Sequence, residues 1–383
     1  MALRDRSRCI TIFFPFIGDT IGGSHLSALS LIKELRAREM FTPIIGLHDH
    51  DGAFADYLKQ RDYECATVPE VEIVNTGSLF GQFKKAYRAA KPLAAFLKAH
   101  DIDLVHINDV RTLYTWFLAT KMTGKKLVWH QRTSSSSLRI AALSLFMDAI
   151  IVISNYTKQQ MRSVARNKAR IVNNPITLST ALAHTEPYDY RAHYQLPENT
   201  YIIGSVGNLT AQKRPDLILE IAKRLKKSKR LFAFIIVGAV RDAYGREIER
   251  RIHEEGLSRQ VFLHGAQFPI DPYMKGFDCL LAPALDEGFG RTLIEAFLCR
   301  IPVLASAHGG HLDIIQHQKN GILIDPNDAD AYVESIMQLS EQGEQDISHI
   351  LKTARKYALD HFSAGAHADA VESIYAELVK GRS

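Results

Sequence analysis

The sequence predicts an α/β protein built from two Rossmann-like, doubly wound parallel-sheet domains facing a central cleft. Three observations lead there. Apolar runs of four to seven residues alternate with helical patterns from end to end, the signature of stacked βαβ units. The scheme runs through twice, with a polar, proline-bearing stretch of no clear period between the two passes. Every glycine-rich or charged loop of chemical interest falls just after a predicted strand, at the carboxyl end where open α/β sheets bind ligands.

The strands of the first half are predicted at Cys9–Phe14, Pro43–Leu47, Leu104–Ile107, Leu127–Trp129, Ala149–Ile153 and Ala169–Val172. Those of the second are Tyr201–Val206, Phe232–Val237, Val261–His264, Cys279–Pro283, Pro302–Ala305 and Gly321–Ile324. Helical periodicity follows near 328–341, 346–359 and 364–380. The expected organisation is a first domain over 1–175, a linker over 176–199, a second domain over 200–360, and a terminal helix over 361–383 packing back on the first domain.

With 383 residues the chain is long enough for two cores. A hydrophobic content of 46% and a charged content of 23% are those of an ordinary globular protein. Cys9, Cys65, Cys279 and Cys299 have neither metal nor redox spacing, which predicts reduced thiols and a cytoplasmic setting. The start runs into a strand without the apolar region and cleavage site of a leader. The longest apolar span, Ile140–Ser154, is too short to cross a bilayer and carries Asp148. Residues 1–185 hold 24 Lys/Arg against 15 Asp/Glu, whereas the remainder holds 23 against 27. A basic first half suits an anionic membrane surface or a phosphate-bearing acceptor. Nucleic acid is not expected as a partner, since no helix-turn-helix, zinc-finger or RNP pattern accompanies the charge.

The most specific motif is Glu287-Gly-Phe-Gly-Arg-Thr-Leu-Ile-Glu295, between the strand ending at Pro283 and a helix opening near Thr292. Its glycines allow a ligand close to the backbone, and the free N–H groups of the helix start form an anion site. Were the stretch wholly helical, eight steps would part the two carboxylates by about 12 Å, a poor fit to a hydrolase pair. An extended ligand held at both ends, with phosphates in the middle, fits better. A nucleotide-sugar has that layout.

Three other loops share the position. Gly18–His25 precedes a helix with apolar Leu26, Leu29, Ile32 and Leu35; Gly22 and Gly23 would turn its amino terminus toward a diphosphate, with Ser24 as a cap. The spacing is not that of a dinucleotide fingerprint. Asp103–Asp109 sends Val105 and Ile107 to one face and His106 and Asn108 to the other, as ligand-contacting or merely core residues. Gly207–Asp216 places Lys213 and Arg214 at the entrance of a helix opened by Pro215, where a diphosphate would sit. Three suggestive stretches are discounted. His48–Asp51 lacks a spaced third ligand and is not read as a metal site. Ser134–Ser137 reads as a loop. Phe80–His100, with Phe83, Tyr87 and Phe96 among Lys84, Lys85, Arg88, Lys91 and Lys98, is a core helix with a basic face or a membrane-surface helix, bent or interrupted by Pro92.

Together these pieces resemble the family-four retaining glycosyltransferases of the glycosyltransferase-B fold, over nearly the whole chain. The family's glutamate-x-seven-glutamate motif sits where Glu287 and Glu295 sit. The resemblance implies that Glu287 contacts the donor sugar and Glu295 the ribose. It implies that amides of Phe289, Gly290 and Arg291 hold the sugar, and those of Thr292 and Leu293 the phosphates. Lys213 matches the family's diphosphate lysine, and Gly22 and Gly23 its amino-terminal glycine loop. Two positions depart. Asn208 stands where many members have arginine, leaving Arg214 or Arg291 to compensate, and His106-Ile107-Asn108 replaces a frequent histidine-x-histidine, which bears on any catalytic role for His106 or Asn108. The implied reaction is metal-independent transfer with retention, from a nucleoside-diphosphate sugar to a glycan or lipid-linked acceptor of envelope polysaccharide or lipopolysaccharide synthesis. The donor is a co-substrate, with no resident cofactor and no metal ligand. The expected place is the cytoplasm or the inner face of the membrane. A sugar-nucleotide epimerase of the same architecture and a non-catalytic nucleotide-sugar sensor are the alternatives.

Overall fold

The computed structural model describes residues 9–74, 79–133, 136–176 and 185–380. Two compact units emerge: Met1–Pro175 with Ala364–Ser383, and Ile176–Ser363.

The first unit carries a parallel sheet of seven strands: β1 (Ile10–Phe16), β2 (Phe41–Leu47), β3 (Ala66–Thr67), β4 (Leu104–Ile107), β5 (Lys126–Gln131), β6 (Ala149–Val152) and β7 (Ala169–Ile171), in the order β3-β2-β1-β4-β5-β6-β7. The sheet is buried on both faces, which is why its strands read as unbroken apolar runs. Strand alternation sorts them: Ile12, Phe14 and Phe16 enter one core, and Phe13 the other. Likewise Val105 and Ile107 share a core with Phe13, while Leu104 packs on the opposite face. The helix Ala364–Lys380 belongs to this unit, adding Ala368, Val371, Ile374 and Tyr375 to the Phe14 side.

The second unit has six parallel strands: β8 (Tyr201–Val206), β9 (Phe232–Val237), β10 (Val261–Leu263), β11 (Cys279–Ala282), β12 (Val303–Ser306) and β13 (Ile322–Ile324), in the order β10-β9-β8-β11-β12-β13. One core of this unit gathers Leu217, Ile218, Ile221 and Leu225 from the helix Pro215–Leu225 against Ile203, Phe234 and Leu281 of the sheet.

Both strand orders reverse once, between β1 and β4 and between β8 and β11. At such a switch point the two loops diverge from adjacent strands and leave a crevice. The four loops singled out above are the four loops at these two points.

Several local expectations are corrected. β3 is a two-residue edge strand that the sequence reading lacked. The helix Leu79–Ala99 runs uninterrupted through Pro92, because Ala89, Leu93, Phe96 and Leu97 bury one side and compensate for the missing N–H. Ser24 does not cap the helix Gly23–Arg36; the N-cap is Gly22, and no side chain caps it. Residues 177–184 of the expected linker and 134–135 of the serine run lie outside the described residues; 190–193 form a short helix.

Candidate functional site

In the second unit the switch-point loops are tied together by their own backbones. Gln212 accepts from the Leu285 amide at 2.8 Å, and its side chain donates to the Asp286 carbonyl at 2.8 Å. This brings Lys213, from the loop after β8, to the motif glutamate after β11: Lys213 Nζ lies 2.5 Å from Glu287 Oε2. The lysine reaches there across Gly207, whose φ is +147° and where a Cβ would press on Lys213 Cε at 3.0 Å.

Burial pushes the Glu287 carboxyl up, but the Lys213 charge and hydrogen bond outweigh it, with help from His311 and the Phe289 amide. The net result holds it below the ordinary range. Glu287 is therefore a mostly buried carboxylate whose ionised form is favoured by its lysine partner.

The helix Arg291–Cys299 begins at Gly290, in a left-handed conformation with φ +97°, and has no side-chain cap. Its first-turn amides are the positive end of a helix dipole. The Leu293 amide, at the third position of this turn, donates to the Gly290 carbonyl at 3.1 Å. One turn on, burial pushes the Glu295 carboxyl up, partly opposed by Arg291, whose guanidinium lies 3.9 Å away. Glu295 and Glu287 are therefore shifted in opposite directions, the first upward by burial and the second downward by its ion pair.

Asn208 and Arg214 are engaged elsewhere. The Asn208 side-chain oxygen accepts from the Ala239 amide at 3.2 Å, linking the loops after β8 and β9. Arg214 stands in the left-handed region (φ 53°) and donates to Asp216 at 3.2 Å and to the Pro326 carbonyl at 3.1 Å.

His311 was not foreseen. It is buried beside this pair, in the Gly309-Gly310-His311 turn after β12, and the Gly310 amide donates to the Glu287 carbonyl at 2.7 Å. The Ser306 hydroxyl donates to the Ala284 carbonyl at 2.5 Å and so accepts from His311 Nδ1 at 3.0 Å, leaving Nε2 without a hydrogen. Burial holds this imidazole down to about 4, against the pull of Glu287. The paired glycines following a strand were the available signal.

In the first unit the loops after β1 and β4 also meet. Arg111 forms two bonds to Asp19, at 2.6 and 3.1 Å, and Asp109 caps the helix Val110–Met122 through the Arg111 amide at 2.8 Å. Gly22 and Gly23 head the uncapped helix beside them.

His106 lies wholly within the core. It stacks on Phe14, its Nδ1 is 2.5 Å from the Tyr375 hydroxyl and its Nε2 is 3.3 Å from His130 Nδ1. Both ring nitrogens are engaged and no surface faces solvent, so the catalytic assignment of His106 is corrected to a core role. Asn108, at the strand's carboxyl end, accepts from Arg132 Nε at 2.9 Å, while its Nδ2 is buried with no partner among the described residues. Arg132, unforeseen, also donates to Asn174. The sequence reading ended this strand at Trp129; because β5 continues to Gln131, Arg132 stands at its carboxyl end rather than in the serine loop. His48 accepts from Trp116 Nε1 at 2.9 Å and is spent on packing.

Comparison with known proteins accords with this geometry. Residues 188–357 match the family described as glycosyl transferases group 1, and residues 21–180 match glycosyltransferase family 4. The chain is 29% identical over 198 residues to the D-inositol 3-phosphate glycosyltransferase of Corynebacterium jeikeium, a match covering 49% of this chain but only 46% of that relative's length. It is 21% identical over 307 residues to the UDP-Gal:alpha-D-GlcNAc-diphosphoundecaprenol alpha-1,3-galactosyltransferase of Escherichia coli, covering 75% and 78%. Among solved structures, Anabaena Alr3699/HepE in complex with UDP and glucose shares the fold, with a TM-score of 0.74, 20% identity and coverage of 96% and 99%. Two parallel-sheet α/β units, the two family matches and these likenesses agree: the chain belongs to the family-4 glycosyltransferases of the glycosyltransferase-B fold.

Proposed function

We propose that the second unit binds a nucleoside-diphosphate sugar at its β8/β11 switch point and that the enzyme transfers the sugar, with retention of configuration, to a glycan or lipid-linked acceptor. The observation that carries this reading is the Lys213–Glu287 pair beside an uncapped helix start. One ammonium and the amides of Arg291 and Thr292 supply positive charge for a diphosphate; Glu287 and Glu295 supply acceptors for sugar and ribose hydroxyls on either side. Lys213 exchanges its bond to Glu287 for one to the phosphate as the donor enters.

In the reaction the bond between the anomeric carbon and the phosphate oxygen breaks, and its electron pair stays on the phosphate. Lys213 and the helix dipole stabilise that charge through preorganised electrostatics. The acceptor hydroxyl bonds to the anomeric carbon from the same face and gives its proton to the departing phosphate oxygen. The ionised Glu287 fixes the sugar and favours positive charge developing on its ring. Because the compensating charge comes from the protein, the step needs no metal ion and no resident cofactor.

The acceptor belongs to the first unit, near Asn108 and Arg132. The names of the relatives, one of them acting on a diphosphoundecaprenol-linked sugar, support an envelope-glycan acceptor met at the cytoplasmic face of a membrane. No helix among the described residues is long and apolar enough to cross a bilayer. Incubation with UDP-, GDP- and ADP-sugars tests the reading. Transfer gives acceptor-dependent release of nucleoside diphosphate and a product of unchanged anomeric configuration by NMR. Release without acceptor, or binding without release, contradicts it.

A further inference from the structure

The helix Leu79–Ala99 is divided along its length. Its inner side is core: Phe96 packs on Phe13 at 5.1 Å and on Trp116 at 5.8 Å between ring centroids. Its first three turns point large aromatics outward instead, with Phe80 78%, Phe83 65% and Tyr87 68% exposed. Between and beyond them Lys84, Arg88 and Lys91 are exposed, and no acidic residue occurs between Glu72 and Asp101. Among the described residues, Lys85 pairs with an acid, Glu72.

A second element completes the edge. Arg139 Nη1 donates to Gln82 Oε1 at 2.8 Å, joining the start of this helix to the start of the helix Leu138–Ser144, where Leu138 is 67% exposed. Arg162 donates to the Ser136 carbonyl at 3.0 Å, adding a cation beside Leu138. In a parallel sheet, helices start at the carboxyl ends of strands and finish at the amino ends. Leu138–Ser144 follows β5 and Leu79–Ala99 leads into β4, so both starts lie at the end of the sheet where Asn108 and Arg132 stand.

We propose that this edge, Phe80, Phe83, Tyr87 and Leu138 collared by Lys84, Arg88, Lys91 and Arg139, docks on an anionic lipid surface. Aromatic side chains with a polar or interfacial rim favour the headgroup level, and basic residues around them are attracted to anionic lipid. A complementary protein face would need acids opposite every cation, whereas a bilayer of anionic lipid meets the whole collar at once. Exposed Met40, between the helix Gly23–Arg36 and β2, stands at the opposite, amino end of the sheet. The inference deepens the proposed lipid-linked acceptor by naming the surface that brings the chain to it, and its test requires no sugar transfer.

The full chain is floated with phosphatidylcholine vesicles, with and without 30% phosphatidylglycerol, at low salt and at 0.5 M salt, alongside size-exclusion with light scattering. The wild type should bind the anionic vesicles only, and lose most of that binding at high salt. Phe80→Ser with Phe83→Ser should weaken binding by at least about tenfold. Lys84→Glu with Arg88→Glu should abolish the preference for anionic lipid, and Met40→Ser should bind as wild type. All variants should keep transfer to a water-soluble acceptor, so that loss of docking is read apart from loss of the activity proposed above. Wild-type protein that ignores anionic vesicles, edge variants that bind unchanged, or a dimer that Phe80→Ser with Phe83→Ser dissolves would each overturn the proposal.

Discussion

Lys213 and Glu287, 74 positions apart in sequence, are held 2.5 Å apart because the strands that deliver them, β8 and β11, are neighbours at the point where the sheet order reverses. The pair joins the one lysine proposed to take a diphosphate to the one carboxylate held ionised for a sugar. Lys213→Ala should lower turnover by about 10²–10³, the range for removing a preorganised charge-stabilising donor. It should also let the Glu287 carboxyl rise, since burial then acts without its counterion. Lys213→Arg, which keeps the charge, separates lost electrostatics from misfolding. Steady-state kinetics with circular dichroism checks both; near-wild-type rates for Lys213→Ala would refute the role.

Glu295 should show in binding rather than in chemistry. Glu295→Ala is expected to weaken donor affinity by roughly tenfold, the size of one lost hydrogen bond to a charged or polar partner. Calorimetry with the preferred nucleotide-sugar measures it. Unchanged affinity would remove the ribose assignment.

Gly207→Ala tests the path of the lysine rather than the lysine itself. At φ +147° an added Cβ is strained and also meets the Lys213 side chain, 3.0 Å away at Cε. We expect a loss of about 1 kcal/mol or more of stability, together with a fall in turnover that Asn208→Ala, beside it but turned to Ala239, does not reproduce. Thermal melts and initial rates on the two variants distinguish the effects.

The first unit should weaken in mild acid. Burial, seconded by Arg132, holds His106 and His130 well below the ordinary imidazole range and His367 down to about 3. In the unfolded chain each titrates at about 6.5. Below that pH the unfolded state binds more protons than the folded one, so stability falls as pH falls. It should be fully present above about pH 7 and decline from about 6.5 toward 3, by about 1.4 kcal/mol per pH unit for each histidine that stays neutral. Denaturant unfolding between pH 7.5 and 4.5 follows it; a flat profile would contradict the buried neutral cluster.

Much of this arrangement was legible in the residues. Leu104–Ile107, Tyr201–Val206 and Phe232–Val237 stand as strands with the bounds read from their apolar runs, because sheets covered on both faces leave little ambiguity. Lys213 and Glu287 could each be placed after a strand, although only the strand order brings them together. What was illegible depends on tertiary partners. His106 sits on a strand face that the sequence can assign, but the Tyr375 hydroxyl and His130 that occupy its ring come from elsewhere in the unit. Pro92 is tolerated because the helix around it is packed, which local propensity does not register. Arg132 was hidden by a strand two residues longer than its apolar run, and His311 by a turn whose meaning depends on Glu287 lying across it.

The central claim is that a diphosphate displaces Glu287 from Lys213 and settles on the start of the Arg291–Cys299 helix. A crystal soaked with a non-transferable analogue of the preferred nucleotide-sugar measures this directly. Phosphate oxygens within hydrogen-bonding reach of Lys213 Nζ and the Arg291 and Thr292 amides, with ribose on Glu295, are the predicted result. A ligand bound elsewhere while Lys213 keeps its bond to Glu287 would contradict it.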